Sequence, residues 1–141
     1  MRRAIKYVLW ALLALVMIPV ALLFLYWGLR ELETANFYRS RPILHSMNSV
    51  HDGVWTNGSK SARSVLLERF PIGTELNGAI PALKREAFEC VKPMAPSNGR
   101  VNCQLLAPVA SGSSTRWIVD LQFDELGKLT DAKVAVWNIS L

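Results

Sequence analysis

The sequence predicts an α+β chain: an N-terminal transmembrane helix, then a small domain of two short helices and a three- to four-stranded antiparallel meander. Three observations carry this. Residues 7–29, YVLWALLALVMIPVALLFLYWGL, form one apolar run without a charged side chain. Near Phe88 the spacing of apolar residues changes from helical to alternating. Cys90 and Cys103 stand at equal distances from the Pro96–Ser97 midpoint, as residues facing each other across a hairpin would.

The 23 residues of the run would extend roughly 34 Å as a helix, against a hydrocarbon core of about 30 Å. Arg2, Arg3 and Lys6 precede it, so the positive-inside rule keeps the N-terminus cytoplasmic and exports everything after Arg30. Tyr7 and Trp10 near the entry, and Tyr26 and Trp27 near the exit, suit rings that settle at the two headgroup layers. A cleaved secretory signal shares the basic start but has a shorter apolar core and an A-x-A site, whereas here Glu33-Thr34-Ala35 follows. No Cys stands directly behind the run to accept a lipid anchor. Pro19 lies mid-span, where membrane helices tolerate proline. The expected location is a bacterial inner membrane, single-pass, with the C-terminal domain periplasmic.

Charge must be divided at the membrane. Of 16 Lys and Arg, Arg2, Arg3, Lys6 and Arg30 flank the span, leaving 12 against 11 acidic residues beyond it. The pI of 9.6 is thus mainly a topology signal. No clustered basic stripe suggests a nucleic-acid partner.

The expected organisation is a cytoplasmic tip and span over 1–32, a connector over 33–60 and a domain over 61–141. The span is expected to fray within a turn or two of Arg30, and the connector shows no sustained period. Ala62, Val65, Leu66 and Phe70 then recur at helical spacing, with Ser59 or Ser61 as cap and Pro71 as stop. Thr74 is expected to cap a second helix carrying Leu76, Ile80, Leu83 and Ala87 on one face. Pro81 either kinks that helix or opens a shorter one near Ile80.

Four strands are expected over Phe88–Lys92, Arg100–Ala107, Trp117–Phe123 and Leu129–Ile139, parted by turn residues. The third alternates Trp117, Val119, Leu121 and Phe123 with Ile118, Asp120 and Gln122. In the fourth, Ala132, Val134 and Val136 share one parity while Leu129, Trp137 and Ile139 take the other. A bulge, or burial on both sides, would reconcile them. A Cys90–Cys103 disulfide across the first hairpin closes a loop of about 14 residues, roughly 3 kcal/mol in the chain-entropy model. An exported compartment permits it.

Two short helices followed by a meander, with PIGTEL opening the second helix and WIVDLQFDELGKLTDAKV forming the last hairpin, resemble the SmpA/OmlA, or BamE-like, family of small periplasmic domains. The matching residues are Gly73, Thr74, Trp117, Phe123, Asp124 and Gly127, within residues 61–139. A PepSY-like domain shares the pattern. The resemblance implies an α+β periplasmic domain that binds proteins or envelope components, and it implies no catalytic residues. Family members that serve outer-membrane barrel assembly are lipoproteins, whereas this chain retains an inner-membrane span.

Signals for chemistry are few. His45 and His51 are six apart, not the i, i+4 spacing of a helical metal pair, and two cysteines without clustered histidines make a poor zinc site. Ser111, Ser113 and Ser114 form a Gly-Ser turn without a nearby base. Asp120 and Asp124 read as a strand edge and a turn. Asn57-Gly58-Ser59 and Asn138-Ile139-Ser140 match glycosylation sequons. Phe37, Tyr38 and Trp55 are the candidate contacts for a partner or the bilayer surface. The resulting expectation is a non-enzymatic protein, without cofactor or metal, whose domain binds or supports an envelope or membrane protein complex. Its partner would meet the exposed sheet face, the connector or an open edge strand. A lipid or small-ligand module is the alternative, and a hydrolytic enzyme is less favoured.

Overall fold

The computed structural model describes residues 2–50, 58–91, 99–109 and 112–139, with the side chains of 2–9 and 11 left out. It is an α+β chain with one long apolar N-terminal helix and a four-stranded antiparallel sheet.

Helix α1 (Arg2–Arg39) is long and apolar enough over Leu12–Arg39 to cross a membrane, and none of that stretch's apolar window is buried. It carries Pro19 within it and, contrary to expectation, does not fray near Leu32. Side chains bridge successive turns there: the Thr34 hydroxyl donates to the Arg30 carbonyl, and the Arg30 guanidinium lies over the Tyr26 ring and bonds its hydroxyl.

The region read as a connector is a further correction. Its first part completes α1, and Pro42 opens helix α2 (Pro42–Val50), whose Ile43, Leu44 and Met47 are buried. Among the described residues three helices therefore follow the apolar one where two were expected. Pro42 explains the break, since proline disfavours helical backbone at the preceding residue while its own φ suits a first helical position.

Helix α3 (Lys60–Arg69) is capped by Ser59, whose hydroxyl accepts the Ala62 N–H at 3.2 Å. Helix α4 (Leu76–Arg85) contains Pro81, so proline neither opens nor stops it. Thr74 does not cap it. The Thr74 hydroxyl donates to the Pro71 carbonyl, and the Leu76 N–H instead donates to the Gly127 carbonyl at 2.8 Å. Ala87 lies beyond the helix, exposed and at φ +68°, rather than on its buried face.

Strands β1 (Glu89–Val91), β2 (Arg100–Pro108), β3 (Ser114–Phe123) and β4 (Leu129–Ile139) form the sheet in chain order, every neighbour antiparallel. A register shift at Gln122/Phe123 leaves Thr130 as an extra residue in β4, its hydroxyl donating to the Gln122 carbonyl. This bulge turns Leu129 onto the same face as Ala132, Val134 and Val136. That face, centred on fully buried Trp117, meets Leu44, Met47, Leu66 and Leu83 in a single core. A buried Leu or Val contributes about 1.5–3 kcal/mol to such a core.

Candidate functional site

The root of the domain, where α1 turns into α2, is built around Glu86. The Arg41 guanidinium stacks on the Phe37 ring, 3.7 Å from its centroid, while its Nη1 donates to the Phe37 carbonyl and its Nε to the Glu86 carbonyl. The Glu86 carboxylate, buried within the domain, accepts the Ile43 and Leu44 N–H groups at 2.8 Å each. These are orphan donors of the first turn of α2, and a carboxylate there also meets the positive end of the helix dipole. One residue after α4 thus fixes both sides of the elbow.

Tyr38 completes this root. It is buried, with its hydroxyl facing the indole N–H of Trp117. The reading of Tyr38 as a contact for a partner or for headgroups is therefore corrected: the ring belongs to the chain's own core. Phe37 is half-buried and edge-on to it. Trp55 and His51 lie outside the described residues, as do the side chains of Tyr7, Arg2, Arg3 and Lys6. Trp10, Tyr26 and Trp27 are exposed along α1.

Cys90 and Cys103 form a disulfide, and they are register partners of β1 and β2. His45 is exposed on α2, and among the described residues no three His, Cys, Asp or Glu side chains cluster as a metal site. Asn138 accepts a hydrogen bond from the Thr115 hydroxyl. Asp120 is held by the Asn102 amide on the neighbouring strand, and Asp124 ties its own turn by accepting the Leu126 and Lys128 N–H groups. The two carboxylates do not form a pair.

Among the described residues the helices cover only one face of the sheet. The other face divides along its register. Leu106, Arg116 and Trp137 form one cross-strand row and Pro108, Ser114 and Ile139 the next, both at the end nearer Tyr38. Asn102, Asp120 and Lys133, then Arg100, Gln122 and Asp131, form the polar rows at the far end. A polar pit of about 90 Å³ opens among the latter. An open groove of about 320 Å³, lined by Ala87, Glu89, Gln104, Leu105, Leu106 and Arg116, lies beside the root.

The β4 edge of the sheet is poorly suited to strand addition. On β4 the Ser59 N–H donates to the Val134 carbonyl and Arg63 Nε to the Ala132 carbonyl, both at 2.7 Å, and Asp131 accepts the Ala132 N–H. Arg63 also pairs with Asp131 at 2.7 Å, which holds the Asp131 carboxyl below the usual range. On the opposite side, Pro108 offers no N–H at the end of β2. This loss of available edge was not visible in the sequence, because the covering groups come from a segment about 70 residues away.

Comparison with family models, with curated proteins and with solved structures finds no match.

Proposed function

We propose that this chain is a non-enzymatic, single-pass inner-membrane protein, N-terminus cytoplasmic, whose periplasmic domain binds or supports a membrane or envelope protein complex. The observation that supports the reading best is the continuity of α1 with the domain. The helix leaves its apolar stretch at Leu29 and is anchored in the domain core nine residues later by Tyr38. A domain on so short a helical stalk stands at a set height above the bilayer and meets partners that are themselves membrane-bound.

The resemblance to SmpA/OmlA-like domains accords with this role, and the disulfide accords with an oxidising compartment. The polar far rows of the bare sheet face are the surface we assign to a protein partner. They mix Arg100, Lys133, Asp120 and Asp131, a pattern suited to polar and ionic pairing rather than apolar burial. Two experiments test the proposal. A reporter fused after Leu141 should be active only in its exported form, and activity of a cytoplasmic-type reporter overturns the topology. In mild detergent with crosslinker, the chain should migrate with a larger complex, and lose it on charge reversal at Lys133. Migration alone at every loading overturns the role.

A further inference from the structure

We infer that the root of the domain is a second membrane contact: a surface for anionic phospholipid headgroups, formed by Arg39, Lys84, Arg85 and Arg116 around Leu106 and Trp137. The inference rests on the reading of α1 as a membrane anchor.

These residues are scattered along the chain, and the fold gathers them. Arg39 ends α1, and two residues on, Arg41 holds the Glu86 carbonyl. That bond brings the last turn of α4, with exposed Lys84 and Arg85, to the elbow. Ala87 next lines the groove that contains Leu106 and Arg116, and Trp137 is the register partner of Arg116 on β4. Arg116 is exposed, and among the described residues it has no ion-pair partner. Within that groove Arg116 is matched by one carboxylate, Glu89, so the excess of positive charge at the root comes from Arg39, Lys84 and Arg85 at the two helix ends.

Height favours the bilayer as the occupant. Tyr38 lies nine residues past Leu29, about 14 Å of helix, and the headgroup layer fills roughly 5–8 Å of that rise. Cations at the level of Arg39 therefore stand about one Debye length from the anionic surface, where its field still acts. Leu106, 55% exposed, and half-buried Trp137 are aliphatic and aromatic groups of the kinds that membrane interfaces favour. A second copy fits less well, since joining two such apolar ends about a two-fold axis sets Arg116 against Arg116. Arg39, and Lys84 with Arg85, also complement the C-terminal dipole ends of α1 and α4, a role compatible with facing an anionic surface.

The test uses the full chain in vesicles. Both native cysteines are in the disulfide, so single labels at Leu106→Cys and at Leu126→Cys, the latter 81% exposed in the β3–β4 turn at the far end of the sheet, report the two ends. In vesicles containing phosphatidylglycerol and a headgroup-linked nitroxide, the Leu106 site should be quenched several-fold more than the Leu126 site. That excess should fall about fivefold with Arg116→Glu, and again with the paired change Lys84→Glu and Arg85→Glu. It should also fall in pure phosphatidylcholine. Equal quenching at both ends overturns the inference. So does an excess that ignores lipid charge and all three reversals, which would leave the face to a protein partner. A labelled chain that never enters the bilayer overturns the anchor and the inference together.

Discussion

Glu86 caps a helix that begins more than forty residues before it: its two carboxylate oxygens accept the N–H groups of Ile43 and Leu44, each at 2.8 Å. The helix it caps carries Leu44 and Met47 into the centre of the core. The same residue's carbonyl receives Arg41, so α4, α2 and the end of α1 meet at one side chain and one peptide group.

Replacing Glu86 by Ala should therefore cost more than an exposed cap. Two buried N–H groups lose their acceptor together, and the expected loss is about 1–3 kcal/mol of unfolding free energy. Glu86→Gln should fall between, because its amide presents one acceptor oxygen and one donor where two acceptors are needed. Urea unfolding in detergent measures the loss. Hydrogen exchange locates it, with protection expected to fall first at Ile43 and Leu44, and unchanged protection there would refute the capping role.

Removal of the disulfide by the double change Cys90→Ser and Cys103→Ser should lower stability by roughly 3 kcal/mol, the value for a loop of about 14 residues. The bond ties the three-residue strand β1 to its neighbour β2, so β1 should lose protection well before β3. Thiol labelling without reductant should find both cysteines blocked. Two reactive thiols in exported protein would contradict the pairing.

Gly99 and Gly73 separate two effects of a missing side chain. Both adopt positive φ, +56° and +93°. A Cβ at Gly73 meets open space, whereas at Gly99 it would collide with the Phe123 carbonyl oxygen, and Phe123 in turn donates its N–H to the Gly99 carbonyl. Gly73→Ala should thus cost about 1 kcal/mol from backbone strain alone. Gly99→Ala should cost markedly more, since backbone must move, and equal losses in thermal unfolding would show that the close approach is relieved without cost.

What could be read in advance followed the reach of the forces involved. The apolar run, the alternation of Trp117–Phe123 and the symmetry of Cys90 and Cys103 are local patterns, and each reappears in the fold. The bulge at Thr130 was one of two ways to reconcile the parity of β4. Helix α2 escaped because nine residues give little period and its cap is supplied by Glu86 from a distant part of the chain. Tyr38 was misplaced for a related reason: near a membrane exit an aromatic suits headgroups, and only the tertiary approach of Trp117 reveals the competing burial. The inferred basic root has no counterpart in the sequence pattern, because Arg39, the Lys84–Arg85 pair and Arg116 lie on separate elements far apart in the chain.

Asp131 provides the pH test. Its hydrogen bond to Arg63 is the largest cause holding its carboxyl below the ordinary value of 3.8, with the Ala132 N–H and the charges of Arg63 and Lys133 adding to it. A carboxyl whose folded pKa is depressed contributes stability that is fully present above its unfolded pKa and is lost as pH falls through the lower, folded value. The contribution is therefore constant near neutrality and disappears below about pH 4. Its size is that of a partly exposed pair, about 0.2–1 kcal/mol, since the Arg63 and Asp131 side chains are 44% and 38% exposed. Asp131→Asn should lower stability by that amount at pH 7 and by less at pH values below the folded pKa, where the parent has lost the same charge. Paired urea titrations at neutral and acid pH read the difference. A gap between parent and variant that widens on acidification would reverse the sign and remove the Arg63 pair as the cause.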